Sequence, residues 1–417
     1  MNALHTSKFA NKYKLWIILG ITLLNAIGLT MVFPLFPFLL GKYLPASQIV
    51  IGLSVLVSVY AACQFFAAPV FGAMSDRFGR RPVLIASLVG SIIGYIFLGI
   101  GGAFWVLLIG RIIDGITAGD ITSLFAYITD STSPKERTKW FSYLGGILGV
   151  GTIVGPAIGG LLGGVSITLP FFVTAGIYFI ITLVSYFFLP ESLSPEKRSK
   201  AFTVKHLNVF AHFKEVFKMK EARTLLIIGF FFYVGIGFYQ MNVSIFLKDV
   251  YSWGPGIIGG ILSLIGVCDI VSRTLVLPQL LKRFKVRSIG IFGLSMLALG
   301  LAMVGVSAYI ISAPLLLAAV ICITLGEGFF EPPYDTLLSS TVDDSKQGLL
   351  QGASQSLQSG YRAIIPLVAG GIYFFSHSLV YATAAFLVII GIVLFSRARR
   401  NSDLVNISTS DALHVEL

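Results

Sequence analysis

Gly72-Ala-Met-Ser-Asp76-Arg77-Phe-Gly79-Arg80-Arg81-Pro82 joins two long apolar runs, 48–72 and 82–100. It packs three arginines, an aspartate and two glycines into a chain that is only 12% charged. A weaker copy, Pro278-Gln-Leu-Leu-Lys282-Arg283-Phe284-Lys285-Val-Arg287-Ser288, again joins two apolar runs. The Arg-Phe pair recurs 206 residues later. Pro156 with Gly159 and Gly160 likewise has a counterpart in Pro366 with Gly370 and Gly371, 210 residues on. A near-constant offset of this size indicates a duplicated half. Short basic loops between duplicated apolar runs point to a polytopic membrane protein.

Composition agrees. The chain has 417 residues, 56% of them hydrophobic, and a mean hydropathy of +0.88. A soluble domain carries about 25% charged residues, so an ordinary soluble enzyme and a disordered protein are both excluded. Crossing ~30 Å of hydrocarbon takes about 20 apolar residues as a helix. Twelve runs qualify: 15–40, 48–72, 82–100, 104–129, 139–163, 168–189, 223–247, 256–281, 287–308, 313–338, 350–374 and 378–396. Run length favours helices over a barrel, whose strands would be about ten residues long with alternating polarity.

The net charge of +11 is explained by where the cations fall. Both tails and the even-numbered loops hold 25 of the 30 Lys and Arg residues. Odd-numbered loops hold only Lys42 and Lys248, and Arg111, Arg273 and Arg362 fall inside spans. By the positive-inside rule both termini are cytoplasmic, and compact loops suit a bacterial inner membrane. The expected organisation is a six-helix bundle over 1–190, a cytoplasmic linker over 191–222, a second six-helix bundle over 223–396 and a cytoplasmic tail over 397–417. In the linker, Leu207, Phe210, Phe213 and Phe217 recur at helical spacing among lysines. They read as an amphipathic helix on the inner membrane surface or as a linker helix touching only protein. Cys63, Cys268 and Cys322 lie in separate apolar runs and the histidines are scattered, so no disulfide framework or metal site is expected.

The first loop motif is accompanied by two others. Span 4 carries Gly110-Arg111-Ile-Ile-Asp114-Gly115, and span 5 carries Gly151-Thr-Ile-Val-Gly155-Pro156-Ala-Ile-Gly159-Gly160. Together these resemble the major facilitator superfamily, and within it the twelve-helix drug–proton antiporters, nearest to the tetracycline-efflux branch. The resemblance covers nearly the whole N-terminal half, including Asn25-Ala-Ile-Gly28, Pro34, Pro37 and Leu189-Pro-Glu-Ser192. It implies an all-α fold of two pseudo-symmetric six-helix bundles. Gly72, Asp76, Arg77, Gly79, Arg80 and Arg81 are then the cytoplasmic latch, its glycines allowing a tight turn and Asp76 pairing with an arginine or capping a helix. Gly151, Gly155, Pro156, Gly159 and Gly160 are the span 5 motif typical of exporters; ordinary small-residue packing is the other reading. Tetracycline exporters usually carry acids where this chain has Asn25 and Gly94, so tetracycline itself is not the expected substrate.

Asp114, Asp120, Asp269, Glu327 and Glu331 fall within spans, with Asp130 and Asp335 at span ends. Each mid-membrane acid costs about 2.5–3.5 kcal/mol or more and needs a partner, a proton or water. Arg111 and Asp114 share a helix face; this is a proton-coupling pair or a static bridge. On a continuous helix Asp120 faces nearly the opposite side. Asp269 and Arg273, four apart, read as a neutralised structural pair. Glu327 and Glu331 stand one turn, ~6 Å, apart before Pro332-Pro333, which should break the helix. Two acids that close cannot both ionise cheaply, which suits a proton carrier, with Arg362 in span 11 placed to neutralise one. The substrate cavity is expected to include Asn25, Phe33, Tyr233, Tyr239, Gln240 and Asn242.

The expected function is proton-coupled export of small amphipathic molecules by alternating access. A proton symporter importing a nutrient is the second reading. A receptor or membrane enzyme is a third, unsupported by any nucleotide-binding P-loop, metal cluster or Ser/His/Asp set. Expected partners are a small-molecule substrate, protons and the lipid bilayer, with no nucleic acid, no cofactor and a monomeric state.

Overall fold

The structure, a computed structural model, describes residues 2–199, 219–342 and 347–398. The linker helix with Leu207, Phe210, Phe213 and Phe217, and the tail beyond 398, lie outside the described residues. Among the described residues every regular element is helical, and the helices form twelve spans. Spans 1 to 3 are Asn2–Met31 continued by short turns to Leu40, Ile49–Phe78 and Arg80–Ile100. Span 4 is split into Phe104–Ile116 and Asp120–Ser131; spans 5 and 6 are Pro134–Val165 and Leu169–Phe188. Span 7 is Lys220–Tyr251. Span 8 runs from Pro255 to Leu281 through a π-helical turn at Ser272–Val276. Spans 9 to 12 are Val286–Ser307, Ala313–Ser339, Gln347–Phe375 and His377–Arg397.

Ten of these are long and apolar enough by themselves to cross a membrane. Span 4 falls short because it is broken, and span 11 because Gln347–Arg362 is rich in Gln, Ser and Gly. Membrane interiors exclude polar segments such as Gln347–Arg362 unless protein or water meets them.

The described chain divides into two units. The first contains residues 2–199 with Ser252–Gly266. Here span 5 lies along span 1 through glycines at four-residue spacing. A Cβ at Gly151 would strike Ala26, at Gly155 Thr30, and at Gly159 the carbonyl of Met31. The Thr30 hydroxyl donates to the Gly151 carbonyl at 2.8 Å. On another face, a Cβ at Gly160 would lie 2.6 Å from the Pro255 carbonyl, and Ser263 donates to the Ile153 carbonyl at 2.6 Å. Lipid removes the hydrophobic drive for helix association, so close backbone approach and interhelical hydrogen bonds do this work.

The second unit contains residues 219–251 and 267–398. Span 10 passes straight through Pro332 and Pro333, contrary to the expected break. The carbonyls that lose their N–H partners are those of Gly328 and Phe329, one turn earlier, and the Thr336 hydroxyl adds a bond to the Pro332 carbonyl at 3.0 Å within the same continuous helix. Asp335 is therefore a helical residue, exposed on span 10, and not a loop contact.

Candidate functional site

Among the described residues each unit holds an ionic cluster within its spans, buried in the first unit and half-buried in the second. In the first, Arg111 and Asp114 sit 4% and 3% exposed. Arg111 Nη1 lies 3.3 Å from Asp114 Oδ2, and Ser91 from span 3 donates to Asp114 Oδ1 at 2.8 Å. The Arg111 guanidinium also lies over the rings of Phe36 at 4.4 Å and Tyr60 at 5.1 Å, a placement that suits a desolvated cation. Asp120 joins this region, contrary to the face argument made for a continuous helix. Span 4 is interrupted at Thr117–Gly119, where the Thr117 hydroxyl bonds the Ile113 carbonyl at 2.8 Å and competes with the backbone ladder. The interruption resets the helical phase, and Asp120 accepts a hydrogen bond from the Asn25 side chain of span 1.

In the second unit one arginine serves three acids. Arg273 Nε lies 2.6 Å from Asp269 Oδ1, and its Nη2 lies 2.8 Å from Glu331 Oε2 and 3.9 Å from Glu327 Oε1. Arg273 stands in the π-helical turn of span 8, a local widening that recurs at functional sites. Asp269–Arg273 is thus the base of a four-member cluster and not a closed pair. Arg362, assigned from sequence to neutralise a glutamate, is exposed on span 11 and forms no ion pair among the described residues. Arg273 takes that place because span 8, not span 11, faces the glutamates.

Beside the cluster opens a small cleft lined by Leu226, Tyr233, Tyr334, Ser354, Gln358 and Tyr361. Tyr233 stacks on Tyr361 at 5.3 Å between ring centroids. Its hydroxyl donates to Glu331 Oε1 at 3.3 Å and accepts from Gln358 Nε2 at 3.1 Å. The cleft and the ionic cluster are therefore joined by hydrogen bonds. Of the other expected cavity residues, Phe33 and Gln240 are exposed. Tyr239, Asn242 and Asn25 are sealed in helix packing at 2%, 0% and 2% exposure, so none of the three lines open space in this conformation. Asn242 spends its amide on the Phe238 carbonyl of its own helix at 3.0 Å.

Residues 18–366 match the Major Facilitator Superfamily. The chain belongs to that superfamily. It is 32% identical over 370 residues to the tetracycline resistance protein, class H, of Pasteurella multocida, covering 86% of this chain and 89% of that one. It is 32% identical to the class B protein of Escherichia coli, covering 87% and 88%. It is 25% identical to multidrug resistance protein 2 of Bacillus subtilis, covering 88% and 90%. Among solved structures, the human organic anion transporter MFSD10 superposes with a TM-score of 0.68 at 20% identity, covering 92% and 99%. A bacterial homologue of the iron transporter ferroportin gives 0.72 at 16%, covering 92% and 98%. These two establish the fold.

The superfamily's loop motif forms an ion-paired network in the first unit. Asp76 pairs with Arg80 at 2.6 Å, and Arg80 reaches Asp130 at the end of span 4 at 2.8 Å. Gly72 lies inside the span 2 helix with open space beside it, so the tight turn belongs to Gly79 alone, at φ +110°. A Cβ there would also collide with Glu191. Glu191 accepts from the backbone N–H groups of Arg80 at 2.9 Å, Arg81 at 3.2 Å, Ser192 at 2.9 Å and Leu193 at 3.0 Å. A carboxylate at a helix N-terminus satisfies orphan donors and meets the positive end of the dipole. Arg81 donates to the Ser185 and Tyr186 carbonyls at the end of span 6, and Arg77 lies over Phe78 at 5.3 Å. Sequence reading found the arginines and missed Glu191 and Asp130 as partners. Leu189-Pro-Glu-Ser was visible as a motif, but nothing local shows that its carboxylate points back to span 3.

Where the superfamily's tetracycline exporters were expected to carry acids, the structure shows what the substitutions do. Asn25 supplies the N–H that Asp120 accepts. A Cβ at Gly94 would stand 2.8 Å from both Asp114 Cβ and the Gly110 carbonyl, so no side chain fits between spans 3 and 4 in this packing.

Proposed function

We propose that the chain is a proton-coupled antiporter that exports small amphipathic molecules by alternating access. Relatives named for tetracycline resistance and multidrug resistance match it over 86–88% of its length, which supports export over import. The observation that carries the mechanism is the charge imbalance in the second unit: Asp269, Glu327 and Glu331 face one arginine. Fully ionised, that cluster holds two uncompensated negative charges in a low-dielectric setting, so protons or a substrate cation must balance it. Glu331 is the carboxylate shared between Arg273 and the cleft, and it is the proton carrier in this reading. Glu327 tunes it. Arg111 and Asp114 form the corresponding charged element of the first unit.

The cation pattern of the loops supports a multi-pass placement in a bacterial inner membrane with both termini cytoplasmic. The repeat supports two bundles, 1–190 and 223–396, joined by the 191–222 linker. We take the working unit to be a monomer. The experiment is transport in everted membrane vesicles with an imposed pH gradient and a panel of amphipathic drugs. An antiporter accumulates a drug only while the lumen is acid. Equal accumulation with and without the gradient, or drug loss on lumen acidification, overturns the reading.

A further inference from the structure

The hydrogen bonds in the second unit run in one direction: the Gln358 amide donates to the Tyr233 oxygen, and the Tyr233 hydroxyl donates to Glu331. Tyr233 and Gln358 both line the cleft. A phenol has one proton to give and lone pairs to accept. While Glu331 is ionised, it draws that proton, and the Tyr233 oxygen presents only lone pairs to the cleft. Once Glu331 is protonated, its own O–H turns to the Tyr233 oxygen, and the phenol proton must point elsewhere, toward the cleft. Proton arrival on Glu331 therefore reverses what the cleft offers, from acceptor to donor.

We propose that Tyr233 is the positioning residue that couples cleft occupancy to the protonation of Glu331, and that the substrate head it favours is a hydrogen-bond donor such as an aromatic or protonated amine. Such a head binds the ionised state, in place of the Gln358 amide, and is expelled when Glu331 takes a proton. That mutual exclusion is the sign an antiporter requires; an acceptor-only head would bind with the proton and give symport. The stacked faces of Tyr233 and Tyr361 add attraction for a positive head. The proposal rests on the reading of Glu331 as a proton carrier.

The other charged and titratable groups around Glu331 do not replace this chain. From span 8, Arg273 holds the opposite carboxylate oxygen, with Asp269 behind it. Glu327 and Asp335 share span 10 with Glu331, and Tyr334 meets the Tyr233 ring edge-on at 6.2 Å. From span 11 come Tyr361, stacked on Tyr233, and Arg362. Tyr233 is the hydroxyl bonded to both Glu331 and a cleft-lining group among the described residues.

The test is ethidium binding to the purified full chain in detergent, followed by fluorescence across pH. Ethidium is a planar cation with amine N–H donors. In the wild type, affinity should rise with pH by up to about tenfold per unit, the slope for one displaced proton. Tyr233→Phe keeps the ring and loses the relay: binding weakens and the slope falls below about twofold per pH unit. Tyr361→Phe removes a hydroxyl outside the relay and should keep the steep slope, as should Gln358→Leu, which removes the competing donor. A steep slope in Tyr233→Phe, a flat slope in the wild type or in Gln358→Leu, no ethidium binding to the wild type, or a steep slope in Glu331→Gln would each overturn the proposal. Failure of the proton-gradient transport assay with this Tyr233-dependent slope intact would overturn the antiport reading alone.

Discussion

Arg273 Nη2 lies 2.8 Å from Glu331 and 3.9 Å from Glu327, so one guanidinium bridges two acids that a single helical turn separates. Its Nε is committed to Asp269. The planar five-donor fork permits this, because Nε and Nη2 reach different helices; an ammonium radiates its three donors from a single nitrogen and cannot span both positions. Arg273→Gln should therefore lower the thermal stability of the purified chain by on the order of 1 kcal/mol, less than a fully buried pair would lose because the cluster is half-buried, and abolish gradient-driven transport. Arg273→Lys should recover most of the folding and only part of the transport rate. Unfolding followed by tryptophan fluorescence, with vesicle transport beside it, checks both.

Asn25 and Asp120 form a donor–acceptor pair across spans 1 and 4. Asn25→Ala removes one donor from a buried carboxylate and should cost about 1 kcal/mol. Asn25→Asp replaces a donor with a second acid and should be worse at neutral pH than at acid pH, where one of the two carboxylates is protonated. A thermal-shift series from pH 5 to pH 8 would show the two variants converging at low pH. Parallel curves would remove Asp120 from the account of this region.

Gly79 and Glu191 act as one joint at the cytoplasmic end of the first unit. Gly79→Ala meets both a left-handed backbone at φ +110° and the Glu191 carboxylate. Its expected effect is a drop of tenfold or more in transport rate, on the order of 1–3 kcal/mol of strain, with ethidium affinity little changed. Glu191→Gln keeps the shape and removes the charge at the helix N-terminus, and should lose less. Rate and affinity measured separately distinguish a latch from a binding defect.

Gly94→Asp restores the acid expected in tetracycline exporters. Because no side chain fits beside Asp114 in this packing, the variant should be poorly folded and confer no tetracycline resistance. Growth inhibition by tetracycline in cells carrying either form is the measurement.

Spans and motifs were legible because they depend on run length and on local residue pattern, both properties of linear sequence. Arg111–Asp114 and Asp269–Arg273 were legible because both partners share one helix at three- and four-residue spacing. What escaped were phase breaks and partners brought in from other helices. Asp120 was misjudged because a Thr-Ala-Gly break inside an apolar run leaves no polar signature, yet it resets which way the next residue faces. Arg362 was assigned to a glutamate and Arg273 to Asp269 alone, because nothing in linear sequence shows that Arg273 also reaches Glu331. Pro332-Pro333 misled in the opposite direction, since a helix packed among others in a membrane protein can run on through prolines. Tyr239 and Asn242 had the right chemistry for a cavity and lie inside the packing instead.

The central claim is that Glu331 carries the proton that drives export. It is tested most directly by drug accumulation in everted vesicles containing wild type, Glu327→Gln, Glu331→Gln or Asp114→Asn, measured with an acid lumen and, separately, as drug–drug exchange with no gradient. The account predicts that Glu331→Gln and Glu327→Gln lose gradient-driven accumulation while still exchanging drug, and that Asp114→Asn shows a similar defect. Gradient-driven accumulation at wild-type levels in Glu331→Gln would contradict it.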